Sequence, residues 1–315
     1  MSVMYAEPQS APPGVSSPWL GTVHEWVGHD GSRWELSNWR SGVFLTRDSL
    51  EGLHMPAETA WTQPQSPVAH GQIYTGGSIV ARPVLWPVHL YADAGSDVFR
   101  DLDSRFWSTL HPGKFGVWRV TTAAGTRELV LRAGDNSGYA YQRDPHYSGW
   151  ATYPVSLIAD DPFWRATQPV VKEFTSASPE NFYGGGPVDG VSPGATPFVI
   201  SKGNTLAGAE IDNPGDVDAW PVWRVTAFTE LTDIVLGVGG REVVFPGPVP
   251  VGSVLTIDTD PLDQQAFLDG VNVTDLITGW GFAAIPSGGS AALSLSMSGS
   301  GTVQASIHPR FFRAW

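Results

Sequence analysis

The segment His24-Glu25-Trp26-Val27-Gly28-His29 is the first place in the chain where metal-binding residue types stand close together. A zinc-peptidase helix needs His-Glu-x-x-His, because residues four apart share one helix face. Here the second histidine comes five residues on, and the segment alternates like a strand, so these read as strand and turn histidines. Asp212-Asn213-Pro214-Gly215-Asp216-Val217-Asp218 has the oxygen-rich composition of a calcium loop. It lacks the residue order and closing glutamate of an EF-hand, and reads as an Asx and Pro-Gly turn entering a strand. Asp258 and Asp260, around Thr259, read as strand-end capping groups. Asp160 and Asp161 would make an acid–base pair only if both faced one bond, whereas neighbours on an extended chain point to opposite sides.

Other catalytic signatures are missing. There is no G-x-S-x-G elbow, no phosphate-binding G-x-x-x-x-G-K-[ST] loop and no G-x-G-x-x-G; Gly237, Gly239 and Gly240 come nearest the last, and Glu242 breaks it. With no cysteine, the chain has no thiol nucleophile, disulfide framework, Cys-ligated zinc or iron–sulfur cluster. No catalytic, cofactor-binding or metal-binding residue is nominated, and the reading is of a protein that is not an enzyme. The unexplained feature is aromatic content: fourteen Trp, fourteen Phe and eight Tyr. Such side chains serve as core, as sugar-stacking platforms or as assembly contacts. Trp220, Trp223 and Trp280 are the candidate glycan or interface aromatics.

The elements that would position these residues are mostly strands. Polar and apolar residues alternate from Trp19 to Asn38 around Asp30-Gly31, a hairpin signal. Residues 56–78 are rich in Pro, Gln and Gly, and strand-like runs follow at Ser78–Ala81 and Val84–Ala92. One segment reads as a helix: Ser96 as N-cap, then Phe99, Leu102, Phe106 and Leu110 on one stripe, stopped by Pro112-Gly113. That stripe must cover a sheet or the open end of a barrel. A hairpin of Phe115–Thr122 and Thr126–Ala133 comes next, then a long strand, Trp150–Ala159, ended by Asp160-Asp161-Pro162. Residues 175–196 are dense in Ser, Gly and Pro and read as a long loop or connection.

Beyond that stretch lie short strands separated by turns: Pro221–Phe228, Ile234–Val238, Arg241–Phe245, Val254–Asp258, Gln265–Leu268, Val271–Val273, Ala291–Met297 and Val303–Ile307. Period-2 alternation, as in Leu293, Leu295 and Met297 against Ser294, Ser296 and Ser298, predicts antiparallel sheets with one buried face, hence a sandwich.

Composition narrows the function classes. At 315 residues the chain is long enough for about two domains. Hydrophobic residues are 42% and charged residues only 16%, which excludes a disordered chain. A net charge of −13 disfavours phosphate backbones, so no nucleic-acid recognition is expected. No apolar run reaches the ~20 residues of a membrane span, and no secretory signal pattern opens the sequence. Low charge on a Trp-rich chain suits a surface buried against partners.

The order of these segments resembles the distal tail proteins of long, non-contractile-tailed phages of the siphovirus type. Four places carry it: the helix and hairpin of Asp97–Ala133; Tyr153-Pro154-Val155 through Asp160-Asp161-Pro162-Phe163-Trp164; Asn213-Pro214-Gly215 through Trp220-Pro221-Val222-Trp223-Arg224-Val225; and Pro250-Val251-Gly252 through Asp269-Gly270, Ile285-Pro286-Ser287-Gly288-Gly289 and the final Arg310-Phe311-Phe312-Arg313-Ala314-Trp315. The resemblance implies a mainly all-β chain. Residues 1–18, rich in Pro, Ser and Ala, read as an extended arm, and the resemblance puts a ring-forming belt domain, a β-barrel or sandwich-like sheet with one α-helix, at 19–165. A connecting region at 166–196 would lead to a galectin-like antiparallel β-sandwich at 197–315.

It also implies a homo-hexameric ring at the tail tip of a virion made in the host cytoplasm. Its partners would be the tail tube protein, the hub or tail-associated protein, the tape-measure protein and receptor-binding proteins. Two alternatives are a carbohydrate-binding sandwich module and a cell-wall glycan hydrolase of a virion.

Overall fold

The computed structural model describes residues 21–46, 49–64, 72–138, 143–176, 180–181, 199–200 and 209–315. The expected arm at 1–18 lies outside them, as does most of the 175–196 stretch. The chain divides into two compact units. One takes in the chain up to Thr167 and regains it for Phe311–Trp315; the other is Gln168–Arg310.

The first unit contains β1 (Val23–Val27), β2 (Arg33–Glu35), β3 (Val43–Leu45), β4 (Glu58–Pro64), β5 (Gln72–Ile79), β6 (Arg82–Tyr91), α1 (Ser96–Ser108), β7 (Gly116–Thr122), β8 (Gly125–Ala133), α2 (Pro145–Ser148), β9 (Trp150–Ala159) and β10 (Trp164–Ala166). Its main sheet runs β2-β1-β7-β8-β9-β6-β3, and β10 pairs with β8. The two edges approach one another, since Leu45 N donates to Leu36 O at 2.9 Å, so the sheet is a nearly closed barrel. In β1 the alternation buries His24 and Trp26 and leaves Val23 exposed, so the aromatic residues and not the valines form the inner face.

The core of this unit explains much of the tryptophan content. Trp26, Trp86, Trp118 and Trp164, each from a different strand, are buried in a continuous row. Successive ring centroids lie 5.2, 5.1 and 5.0 Å apart, at tilted or edge-to-face angles. Trp26 Nε1 donates to Thr109 Oγ1 at 2.9 Å and Trp164 Nε1 to Gly52 O at 3.1 Å.

Helix α1 lays Phe99, Leu102 and Phe106 on this core, as its spacing requires, with Leu110 half-buried beside them. Its start differs from expectation. Gly95 is the N-cap, and the Ser96 hydroxyl donates to His146 O at 2.6 Å, tying the helix to α2. A backbone with φ of 116° at the cap suits glycine and leaves Ser96 inside the first turn.

Within the Pro-, Gln- and Gly-rich stretch, Glu58–Pro64 and the residues from Gln72 on are strands. β4 and β5 form a two-stranded antiparallel ribbon that hydrogen-bonds to no strand of either main sheet. The α2 turn, absent from the sequence reading, is set by Asp144, whose carboxylate accepts from His146 N, and by Pro145 in the first turn.

The second unit contains β11 (Val170–Ser176), β12 (Glu180–Asn181), β13 (Val199–Ile200), β14 (Glu210–Asp212), β15 (Val222–Ala227), β16 (Thr232–Val238), β17 (Arg241–Phe245), β18 (Val254–Asp258), β19 (Gln265–Leu268), β20 (Val271–Asn272), β21 (Gly279–Trp280), β22 (Ser290–Ser298) and β23 (Gly301–Ile307); β24 (Arg310–Phe311) straddles the boundary. A six-stranded sheet, β11-β23-β15-β18-β19-β20, and a five-stranded sheet, β14-β22-β16-β17-β21, bury one core. Val303, Ala305 and Ile307 of β23 point into it, as their period-2 spacing predicts.

Candidate assembly surfaces

None of the titratable groups singled out by sequence converges on a common point. His24 is fully buried against Trp118, 5.6 Å between ring centroids, and burial pushes its pKa down to about 4. His29 instead meets Ser108 O with Nε2 at 3.1 Å and stands edge-to-face with His111. Asp160 takes a two-pronged contact from Arg132 at 2.8 and 3.0 Å, while Asp161 meets Arg165 at 3.4 Å. Each carboxylate is matched to its own guanidinium, as the opposed directions of extended neighbours require. Among the described residues no group of three His, Asp or Glu could hold a metal ion.

The other acidic motifs are backbone devices. Asn213 is buried; its Nδ2 donates to Val217 O at 2.9 Å and Ile285 O at 3.1 Å, and its Oδ1 accepts from Gly215 N at 2.9 Å. This is the Asx turn that the sequence suggests, with an added cross-link to Ile285. Asp258 Oδ1 accepts from Asp260 N at 2.9 Å, and Asp260 pairs with Arg310.

The three candidate aromatics have different fates. Trp223 is 1% exposed in the second core, where its indole has no face to offer a ligand or subunit. That corrects its nomination: β15 places the odd-numbered Trp223 and Val225 inward. Trp220 is half-buried against the same core. Trp280, on the edge strand β21, is 52% exposed and edge-to-face with Phe282 at 5.5 Å.

Two aromatic surfaces on the first unit were missed by sequence reasoning. One is the β4–β5 ribbon, where residues 58–62 and 73–75 are all exposed, Trp61 at 56% and Tyr74 at 60% among them. The second is the outer face of β6 and β9. There the register sets Pro83, Leu85, Pro87, His89 and Tyr91 opposite Ile158, Ser156, Pro154, Thr152 and Trp150. No residue of this face carries a formal charge. His89, buried and held below its ordinary pKa by desolvation, bonds Thr152 Oγ1 at 2.8 Å and lies between Phe44 and Trp150. Tyr91 and Trp150 remain exposed at one end, and Tyr147 of α2 is exposed as well.

Comparison with known proteins agrees with this picture. No protein-family profile matches the chain. It is 27% identical over 259 residues to the minor tail protein Gp27 of Mycobacterium phage D29, a match covering 79% of this chain and 71% of that one. Its fold is that of the Dit protein of phage SPP1, described as a paradigm of the hub adsorption apparatus of phages infecting Gram-positive hosts. The TM-score there is 0.61 at 11% identity, over 93% of this chain and 100% of that one. A chain of the phage P2 baseplate in its activated, calcium-bound conformation superposes with a TM-score of 0.51 at 13% identity, over 92% of this chain and 98% of that one. The chain is thus similar in sequence to a phage minor tail protein and shares the fold of the Dit protein of phage SPP1.

Proposed function

We propose that this protein forms a closed ring of six copies at the tail tip, through its first unit, and joins the tail tube to the hub. The carrying observation is that the first unit presents two different aromatic surfaces of low charge, the β4–β5 ribbon and the outer face of β6 and β9. A ring is built from heterologous contacts, one patch meeting a different patch on the next copy. The tape-measure protein and receptor-binding proteins are the further partners that a tail-tip ring would meet. The 19–165 segment is the belt of this reading, and the second unit is its galectin-like sandwich.

Electron microscopy and mass photometry of the purified protein test this reading. The expected result is a six-fold ring with a central channel. A monomer at every concentration up to that of an assembled tail, with no ring in the virion, would overturn it.

A second role is compatible with the first. Trp280 is exposed beside Phe282 on an edge strand, which suits stacking on a sugar ring. On this reading Trp280→Ala abolishes binding to cell-wall glycan. Absence of binding by the parent protein at millimolar glycan counts against it.

A further inference from the structure

Among the described residues the β4–β5 ribbon pairs with no third strand. An isolated two-stranded hairpin is at best marginally stable in water, and this one places Trp61, Ile73 and Tyr74 in solvent. Residues 58–79 hold a single carboxylate, Glu58, and Glu58 Oε1 accepts from the Tyr74 hydroxyl at 2.5 Å. The ribbon therefore carries one formal charge, that of Glu58, and exposes apolar area that gains by being covered.

The outer face of β6 and β9 has the complementary shortage. Its β6 and β9 residues carry no formal charge, Phe44 of β3 and the Asp160-paired Arg132 of β8 flank them, and Tyr91 and Trp150 stand exposed on it. Its histidine, His89, is buried and disfavoured in its charged form. Charge also selects what covers it. Each copy carries −13, so two copies repel wherever their charged surfaces meet. Contact between copies is least opposed where both surfaces carry little charge, and the ribbon, with Glu58 alone, and this face are two such surfaces on one unit. They are also different patches, as a head-to-tail contact needs.

We infer that the β4–β5 ribbon of one copy docks on the outer β6–β9 face of the next, with Trp61 and Tyr74 on one side and Tyr91 and Trp150 on the other. This rests on the ring reading above and names its contact surfaces. Aromatic residues at the centre of an interface are the usual hot spots, where one truncation weakens binding by roughly thirtyfold or more.

The test uses the full chain with Trp61→Glu, which disables the ribbon, and Tyr91→Glu, which disables the face. Both positions are exposed, so each variant is expected to keep the parent's circular dichroism and melting temperature. Threonine at the same positions provides a second pair suited to strands. Alone, each variant should be monomeric at concentrations where the parent forms rings. Mixed one to one, they should form dimers and stop there, because the one intact ribbon meets the one intact face and nothing remains to continue the chain. Trp61→Lys combined with Tyr91→Glu in one chain should recover part of the assembly.

Rings that survive either single variant, or a mixture that stays monomeric, overturn the assignment of surfaces and leave the ring reading standing. A parent that never forms rings overturns both.

Discussion

Three side chains bear on stability more than their neighbours, each through a polar group that folding removes from water. Arg82 is buried, and its guanidinium donates to Pro162 O at 2.7 Å, Gly52 O at 2.7 Å and Phe312 O at 2.8 Å, and also to His54 O. Desolvation lowers its pKa to about 10, so it stays charged at neutral pH. Arg82→Met removes the donors and leaves buried carbonyls without partners, and should lower unfolding free energy by about 3 kcal/mol in denaturant titration.

Asn213→Asp should cost a similar ~2–3 kcal/mol, because a carboxylate would then face the Val217 and Ile285 carbonyls.

His24 gives a pH dependence. The unfolded chain protonates it near pH 6.5 and the folded chain only near 4, so its contribution is complete above about 6.5. Stability should then fall by about 1.4 kcal/mol per pH unit down to about 4. His24→Phe should flatten that part of the melting-temperature profile; an unchanged slope would show that other groups set it.

At the scale of elements, the last five residues are built into the first unit's fold. Phe311 lies 3.5 Å beneath the Arg127 guanidinium, Arg127 also donates to Arg313 O at 2.8 Å, and Ala314 N donates to Leu53 O at 2.9 Å. Removing residues 311–315 also takes Phe312 O from Arg82, and should lower the first unit's calorimetric transition by several degrees while sparing the second. The helix is comparably committed: Phe106→Ala should cost ~3–5 kcal/mol, since Phe106 is fully buried against Trp34 and Trp107.

Helix α1, the β7–β8 hairpin, β9 and most strands of the second unit were legible, because turn residues bound them and one face is buried. The β4–β5 ribbon was not. Both its faces are exposed, so it shows no apolar and polar alternation, and its Pro and Gly residues resemble loop chemistry. The return of Phe311–Trp315 to the first unit has no local signature at all, being a contact between residues far apart in sequence. For the same reason spacing could not tell the buried Trp223 from the exposed Trp280, nor see that four other indoles form one inner row.

For the whole molecule, the low charge and high aromatic content have separate explanations. Trp26, Trp86, Trp118 and Trp164 build the first unit's core, while of its exposed tryptophans Trp61 lies on the ribbon, Trp150 on the β6–β9 face, and Trp39 and Trp315 elsewhere. Polar contacts among the described residues are backbone devices and ion pairs, including the linked series Arg33–Glu25–Arg119–Glu128, and no group of three His, Asp or Glu among them could hold a metal ion. A chain so arranged is suited to standing beside copies of itself. The most direct test is the mass of the purified protein in solution at physiological salt, by light scattering after size exclusion. The account predicts a single species of about six times 33.8 kDa that Trp61→Glu or Tyr91→Glu reduces to the monomer. A parent protein of monomer mass at all concentrations, or a hexamer indifferent to both substitutions, would contradict it.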